Sequence, residues 1–128
     1  MINSGVIADT CIWIEFFKTD SPLANKLEAL IKNQSLYMVG IVLAELLQGV
    51  RIEKQKATIL ESLSILPYLE MNKANWIKTG ILSAQLRQKG ITLPLSDLSI
   101  AVIALDNNCQ VFTTDPHFSQ IPGLRLYK

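Results

Sequence analysis

The stretch VIADTCIWIEFF, residues 6–17, decides the fold, because one carboxylate stands where an apolar run gives way to a helix. Residues 5–9 predict a short buried strand of a parallel sheet, and a helix should follow through Phe17. Asp9 lies at the junction. An ionised carboxylate among apolar neighbours costs several kcal/mol unless something compensates it. The charge of Asp9 must therefore be compensated in the folded protein.

Strand and helix patterns alternate along the rest of the chain. This alternation predicts an α/β domain with a mainly parallel sheet. The further strands are expected at 36–39, 65–71, 109–114 and 124–127. The further helices are expected at 21–32, 41–50, 52–64, 73–90 and 95–108, and the helix at 73–90 should be amphipathic.

Length and composition favour one domain over residues 1–128. The chain is 49% hydrophobic and 18% charged, which suffices for a core and argues against disorder. No apolar run is long enough to span a bilayer, and residues 1–10 lack the pattern of a signal peptide, so a cytoplasmic location without membrane contact is expected. Cys11 and Cys109 are expected to be buried free thiols, since they show no zinc-site spacing.

The basic residues are clustered, although the net charge of +1 neither demands nor excludes a nucleic-acid partner. One cluster falls at residues 51–56 and another along 73–89. Each cluster alone is more simply explained as the solvated face of a helix.

Four apolar segments each carry a single charge, and all four charges are acidic. They are Asp9, Glu45, Asp97 and Asp115. In an open parallel sheet, functional sites form beyond the carboxyl ends of the strands, where all four carboxylates could converge. Clustered carboxylates repel one another unless they are protonated or hold a cation. Hard oxygen ligands in this number suit Mg²⁺ or Mn²⁺.

Each carboxylate also has an explanation that involves no function. Asp9 could cap the helix that follows it. Asp97 could interact with the macrodipole of its own helix, and Asp115 could be an ordinary turn residue before a proline. Glu45 could meet a partner from elsewhere in the fold.

Four motifs together resemble PIN-domain nucleases, and within them the VapC-type toxins of bacterial toxin–antitoxin pairs. The motifs are DTCIWIEFF, VLAELLQGV, PLSDLSIAVIAL and VFTTDPHF, and their order and spacing span essentially the whole chain. The resemblance implies a three-layer PIN-like domain, with a central mainly parallel sheet of about five short strands flanked by helices.

The family's acidic residues correspond to positions of this chain. Its first aspartate matches Asp9, its helical glutamate matches Glu45, and its two late aspartates match Asp97 and Asp115. One departure concerns His117, because many members carry a further acid at that position.

The resemblance implies a metal-dependent ribonuclease in which metal-activated water hydrolyses a phosphodiester. Asp9, Asp97 and Asp115 would coordinate Mg²⁺ or Mn²⁺, and Glu45 would ligate through water or orient the nucleophile. Hydroxyl groups would hold the carboxylates or the substrate phosphate; these belong to Thr10, Ser96 and Thr113.

The resemblance also implies partners, namely an RNA substrate, a second copy in a homodimer, and an antitoxin that covers the site. A groove for an antitoxin helix is expected among the helices at 10–17, 21–32 and 41–50. The alternative function is a catalytically silent scaffold that binds RNA or a partner protein. Metal-free ribonuclease chemistry is disfavoured, because it usually needs two histidines and His117 is the only one.

Overall fold

The computed structural model describes residues 5–18 and 20–128. Residues 1–4, on which the absence of a signal peptide partly rested, lie outside the described residues. The strands are β1 (Val6–Ala8), β2 (Leu36–Val39), β3 (Tyr68–Leu69) and β4 (Gln110–Phe112). The helices are α1 (Thr10–Lys18), α2 (Pro22–Lys32), α3 (Gly40–Gln48), α4 (Glu53–Leu63), α5 (Lys73–Gln88) and α6 (Leu95–Asp106), and a short 3₁₀ helix covers Pro116–Gln120.

The sheet is parallel throughout, with strand order β3-β2-β1-β4. Strand β1 lies in its interior, with Ile7 opposite Tyr37 of β2 on one side and Val111 of β4 on the other. All three residues of β1 are buried. Because successive side chains of a strand point to opposite faces, helices must cover both faces of the sheet. The expected three-layer α/β architecture is confirmed.

Local signals set the ends of the helices. Ser21 caps α2 by accepting a hydrogen bond from the amide of Ala24 at 3.1 Å, and Pro22 occupies the first turn. Beyond the end of α5, Gly90 adopts φ +81°, a left-handed conformation that favours glycine. These signals are local, so the sequence predicted both ends well.

The predicted strand at 124–127 is wrong as a strand. It forms a single parallel bridge between Val111 and Leu126, so the sheet has four strands rather than about five. In β4, Gln110 and Phe112 direct their backbone hydrogen bonds toward β1. Only Val111 offers its amide and carbonyl to the C-terminal segment, which leaves no room for a second bridge within so short a strand.

Helix α5 is amphipathic in the opposite sense to the usual one. Its buried side chains are mostly polar or small, namely Asn75, Thr79, Ser83 and Leu86. Its outer face exposes Trp76, Ile77 and Ile81, each a little over half exposed. The buried polar groups are hydrogen-bonded, as when the Asn75 amide donates to Asp106 on α6. The apolar side of α5 therefore has no cover within the described residues.

No helix within residues 5–18 and 20–128 is long and apolar enough to cross a membrane.

Candidate active site

The four isolated carboxylates come from four different places in the chain that meet at one edge of the sheet. Asp9 directly follows β1, Asp115 lies three residues beyond β4, Glu45 lies in the second turn of α3, and Asp97 lies in the first turn of α6. Parallel pairing of β1 with β4 places their carboxyl ends side by side. The charges of Asp9, Asp115 and Glu45 all act on Asp97, but in the described part of the chain neither Asp9 nor Glu45 brings a ligand atom within 4.8 Å of both Asp97 and Asp115.

Asp9 is the most buried of the four, with 7% of its surface exposed. Its Oδ1 accepts a hydrogen bond from the Thr10 amide at 2.8 Å. Its Oδ2 accepts from the hydroxyl of Thr113 at 2.9 Å and faces the Cys11 thiol at 3.3 Å. The carboxylate thus does bind the first amide of α1, in keeping with the capping alternative, but it also collects two donors that are not part of a helix cap.

Glu45 finds its partner in Thr10. The Thr10 hydroxyl donates to Glu45 Oε1 at 2.6 Å, so the first residue of α1 joins Asp9 to α3. A hydroxyl does not neutralise a carboxylate, and therefore the negative charge of Glu45 remains part of the site.

Asp115 lies at the start of the 3₁₀ helix and caps it. Its amide donates to Thr113 Oγ1 at 3.0 Å, and its Oδ1 accepts from the His117 amide at 2.9 Å. The His117 imidazole lies on the same oxygen, with Nδ1 3.1 Å away. Asp115 is thus a turn residue, as one alternative expected. The turn contacts use only Oδ1, and within the described residues Oδ2 has no hydrogen-bond partner.

The pKa of Asp97 shows the effect of this arrangement on a carboxylate. Burial, together with the negative charges of Asp9, Asp115 and Glu45, raises the pKa of Asp97 from 3.8 to about 6. His117 acts in the opposite direction without reversing the effect. A carboxylate in the first turn of a helix normally gains from the macrodipole, so the macrodipole explanation alone does not account for this raised pKa.

The donor set fits a hard divalent cation. Single ligand atoms of Asp97, Asp115 and His117 all lie within 4.8 Å of one another. Burial and the neighbouring negative charges both raise the pKa of Asp97, and a bound cation would offset both effects. Carboxylate oxygens suit Mg²⁺ or Mn²⁺.

Two side chains differ from their expected places. Cys11 was expected among apolar side chains, but it is only half-buried and its Sγ lies 3.5 Å from Thr114 Oγ1 as well as beside Asp9. The position of Cys11 in the first turn of α1 could have signalled this, since that turn begins at the site. Ser96 makes no side-chain hydrogen bond to the carboxylates within the described residues; its carbonyl accepts from the Ser99 hydroxyl.

Comparison with known proteins matches residues 6–124 to the PIN domain family. The chain belongs to the PIN-domain family. It is 35% identical over 107 residues to Ribonuclease VapC2 from Rickettsia felis, which covers 80% of each chain.

Solved structures of PIN proteins agree with this assignment. The crystal structure of VapBC2 from Rickettsia felis, bound to a promoter DNA fragment, matches 99% of this chain and 98% of that one, with a TM-score of 0.81 and 31% identity. VapBC-1 from nontypeable Haemophilus influenzae matches 100% and 98%, with a TM-score of 0.78 and 25% identity. The resemblance expected from the four motifs is confirmed.

The burial of Asp97 and the negative charges around it predict that the metal-free PIN domain is less stable at high pH than at low pH. Since the folded-state pKa of Asp97 lies above its ordinary value, ionised Asp97 destabilises the metal-free fold above pH 6, and the penalty fades as pH falls from 6 toward 4. Asp97→Asn should therefore melt a few degrees higher than the wild type at pH 8 in chelator, and the difference should shrink toward pH 4.

The exposed acid Glu61 on α4 offers a matched control, because Glu61→Gln removes one charge away from the cluster. Melting temperatures across this pH range would decide the matter. An Asp97→Asn protein no more stable than wild type at pH 8 would contradict the electrostatic account.

Proposed function

We propose that this chain, as a single nuclease domain over residues 1–128, is a metal-dependent endoribonuclease and the toxin of a toxin–antitoxin pair. The observation that carries the proposal is that burial of Asp97, together with the negative charges of Asp9, Asp115 and Glu45, raises its pKa to about 6. A ribonuclease is favoured because the curated relative is named a ribonuclease and covers most of this chain.

Asp9, Asp97 and Asp115 would hold the cation, Mg²⁺ or Mn²⁺. Asp115 has Oδ2 available and Asp97 has no hydrogen-bond donor on its carboxylate within the described residues, so both can turn toward an ion. Asp9 is held in place by its three donors. A divalent cation at this place supplies Lewis acidity to a water molecule and to the phosphate.

The remaining residues position these ligands. The Thr113 hydroxyl donates to Asp9 and accepts a hydrogen bond from the backbone amide of Asp115. One hydroxyl therefore sets the spacing of two ligands. Thr10 holds Glu45 beside Asp9, where the glutamate can accept a hydrogen bond from the attacking water. Ser96, half-buried in the first turn of α6, is left to contact the substrate phosphate.

The substrate proposal leads to a cleavage experiment on a mixed RNA pool with Mg²⁺ or Mn²⁺. Wild-type protein should cut the RNA, and a chelator should abolish cutting. Asp9→Asn and Asp97→Asn should each lose at least about a hundredfold, the upper end of what losing even an outer-shell partner costs a metal site. Cut sites would be read by primer extension.

Glu61→Gln again serves as the matched control and should cut like wild type. Two variants are needed because Asp9 is buried and hydrogen-bonded, so its substitution could unfold the protein. Within the described residues the Asp97 carboxylate accepts no hydrogen bond, and Asp97→Asn should therefore fold even if Asp9→Asn does not. Cutting that survives complete chelation would refute the metal mechanism. A folded wild-type protein that cuts no RNA and binds no cation would support the silent scaffold instead.

An antitoxin is the expected protein partner, and a groove beside the site could receive it. The groove has a volume of about 750 Å³ and extends from Glu45 along α1, α3 and α4. Its apolar lining includes Ile14, Phe17 and Leu46, and Lys18 lies at its edge. The groove is lined by α4, whereas α2 was expected in that place from the sequence. A helix seated here would reach Glu45 and block the substrate's approach.

A second copy of the chain is the expected partner for the outer face of α5. Trp76, Ile77 and Ile81 are 52%, 53% and 54% exposed and share one side of the helix. A cavity of about 310 Å³ lies next to Trp76, between α3, β3 and α6. Contiguous exposed apolar surface of this kind favours a protein interface, and homodimers use a single patch twice.

The homodimer proposal predicts that Ile81→Glu yields a monomer. A charge placed on a self-complementary apolar patch is buried twice in the dimer, so association should weaken by orders of magnitude while each chain stays folded. Light scattering after size exclusion, at low micromolar concentration, measures the mass. Ser62→Glu adds the same charge at an exposed position of a different helix, α4, and should remain dimeric; a wild-type protein that is already monomeric would contradict the proposal.

A cytoplasmic location forms part of the same proposal, because the RNA substrate and an antitoxin would both be met there.

A further inference from the structure

His117 lies beside Asp97 and Asp115, and its imidazole contacts the carboxylate of Asp115. The imidazole is about half exposed, and its Nδ1 lies 3.1 Å from Asp115 Oδ1. The amide of His117 donates to that same oxygen at 2.9 Å. Because Pro116 restricts the backbone between them, the imidazole and the carboxylate are held on one side of the 3₁₀ helix.

The imidazole is also close to Asp97. One nitrogen of His117 and one oxygen each from Asp97 and Asp115 lie within 4.8 Å of one another. Three ligand atoms that each lie about 2.1 Å from one ion and are evenly spaced around it stand about 3.6 Å apart, so atoms within 4.8 Å of one another need to close by at most about 1.2 Å to bind one cation. Exposed side chains make movements of that size readily.

We propose that His117 is a nitrogen ligand of the cation that Asp97 and Asp115 hold, and that it shifts the preference of the site from Mg²⁺ toward Mn²⁺. The inference rests on the metal site proposed above. Mg²⁺ favours an all-oxygen, strongly hydrated shell, whereas imidazole nitrogen suits transition metals. A site that adds one imidazole to its carboxylates therefore discriminates in a way that carboxylates alone do not.

The competing explanation is that His117 only forms an ion pair with Asp115 at the rim. A surface pair of this kind contributes little, and its loss would change the affinity for both cations alike. The two explanations therefore differ in the ratio of Mn²⁺ affinity to Mg²⁺ affinity and in the presence of nitrogen on the metal.

The test is pulsed electron paramagnetic resonance of the Mn²⁺-loaded full-length chain at pH 8, with calorimetric titration of Mn²⁺ and of Mg²⁺. The wild type should show the ¹⁴N coupling of a directly bound imidazole, and His117→Ala should lose it. His117→Ala should also lower the ratio of Mn²⁺ to Mg²⁺ affinity by at least about tenfold. His117→Asp, which restores an all-oxygen set, should lose the ¹⁴N coupling and move the ratio further toward Mg²⁺.

Gln120→Ala, at the exposed end of the same 3₁₀ helix, is the matched control and should keep both the coupling and the ratio. The inference would be overturned if the Mn²⁺-loaded wild type showed no ¹⁴N coupling and His117→Ala left the affinity ratio unchanged. If Mn²⁺ then bound the wild type but not Asp97→Asn, the proposed metal site would still stand. A wild type that binds neither cation would overturn the proposed metal site itself.

Discussion

The buried carboxylate of Asp9 at the end of the interior strand is the constraint on which the rest of the site depends. A carboxylate with 7% exposure needs donors, and this chain collects them from the adjacent turn of α1 and from the residue that follows β4. Thr113 can reach Asp9 only because β1 and β4 run parallel and in register, with Ala8 opposite Phe112. The compensation of one charge thereby fixes the position of the loop that carries Asp115.

This arrangement concentrates negative charge instead of neutralising it. Thr10, Cys11 and Thr113 donate hydrogen bonds but bring no positive charge. Burial and the remaining negative charges together raise the pKa of Asp97 to about 6. The lysine side chains whose ion pairs the structure describes face other acids, as Lys78 faces Asp106. A bound cation would reduce the repulsion within the cluster and so raise the free energy of unfolding.

The sequence allowed the sheet class and the four carboxylates to be predicted because both leave local signals. A short apolar run predicts a buried strand, and one charge in an apolar segment stands out whatever the fold. Local capping likewise predicted the start of α2 at Ser21. The site could be expected at one sheet edge because parallel strands all end on the same side.

What the sequence did not reveal depends on contacts between distant residues. The strand predicted at 124–127 failed because β4 offers it only Val111. The inverted α5 was hidden because periodicity gives the faces of a helix but not which face meets the core. The buried Asn75 donates to Asp106, a contact 31 residues away along the chain that no local pattern signals. The contact between Cys11 and Thr114 joins residues 103 positions apart, and no local pattern reports it.

Urea unfolding of wild type and Asp97→Asn, with and without Mn²⁺ at constant ionic strength, tests most directly whether this carboxylate cluster holds a cation. The wild-type free energy of unfolding should rise by about 1.4 kcal/mol for each tenfold increase of Mn²⁺ above its dissociation constant, and Asp97→Asn should show no such rise. An equal response of the two proteins, or no response in either, would contradict the proposed metal site.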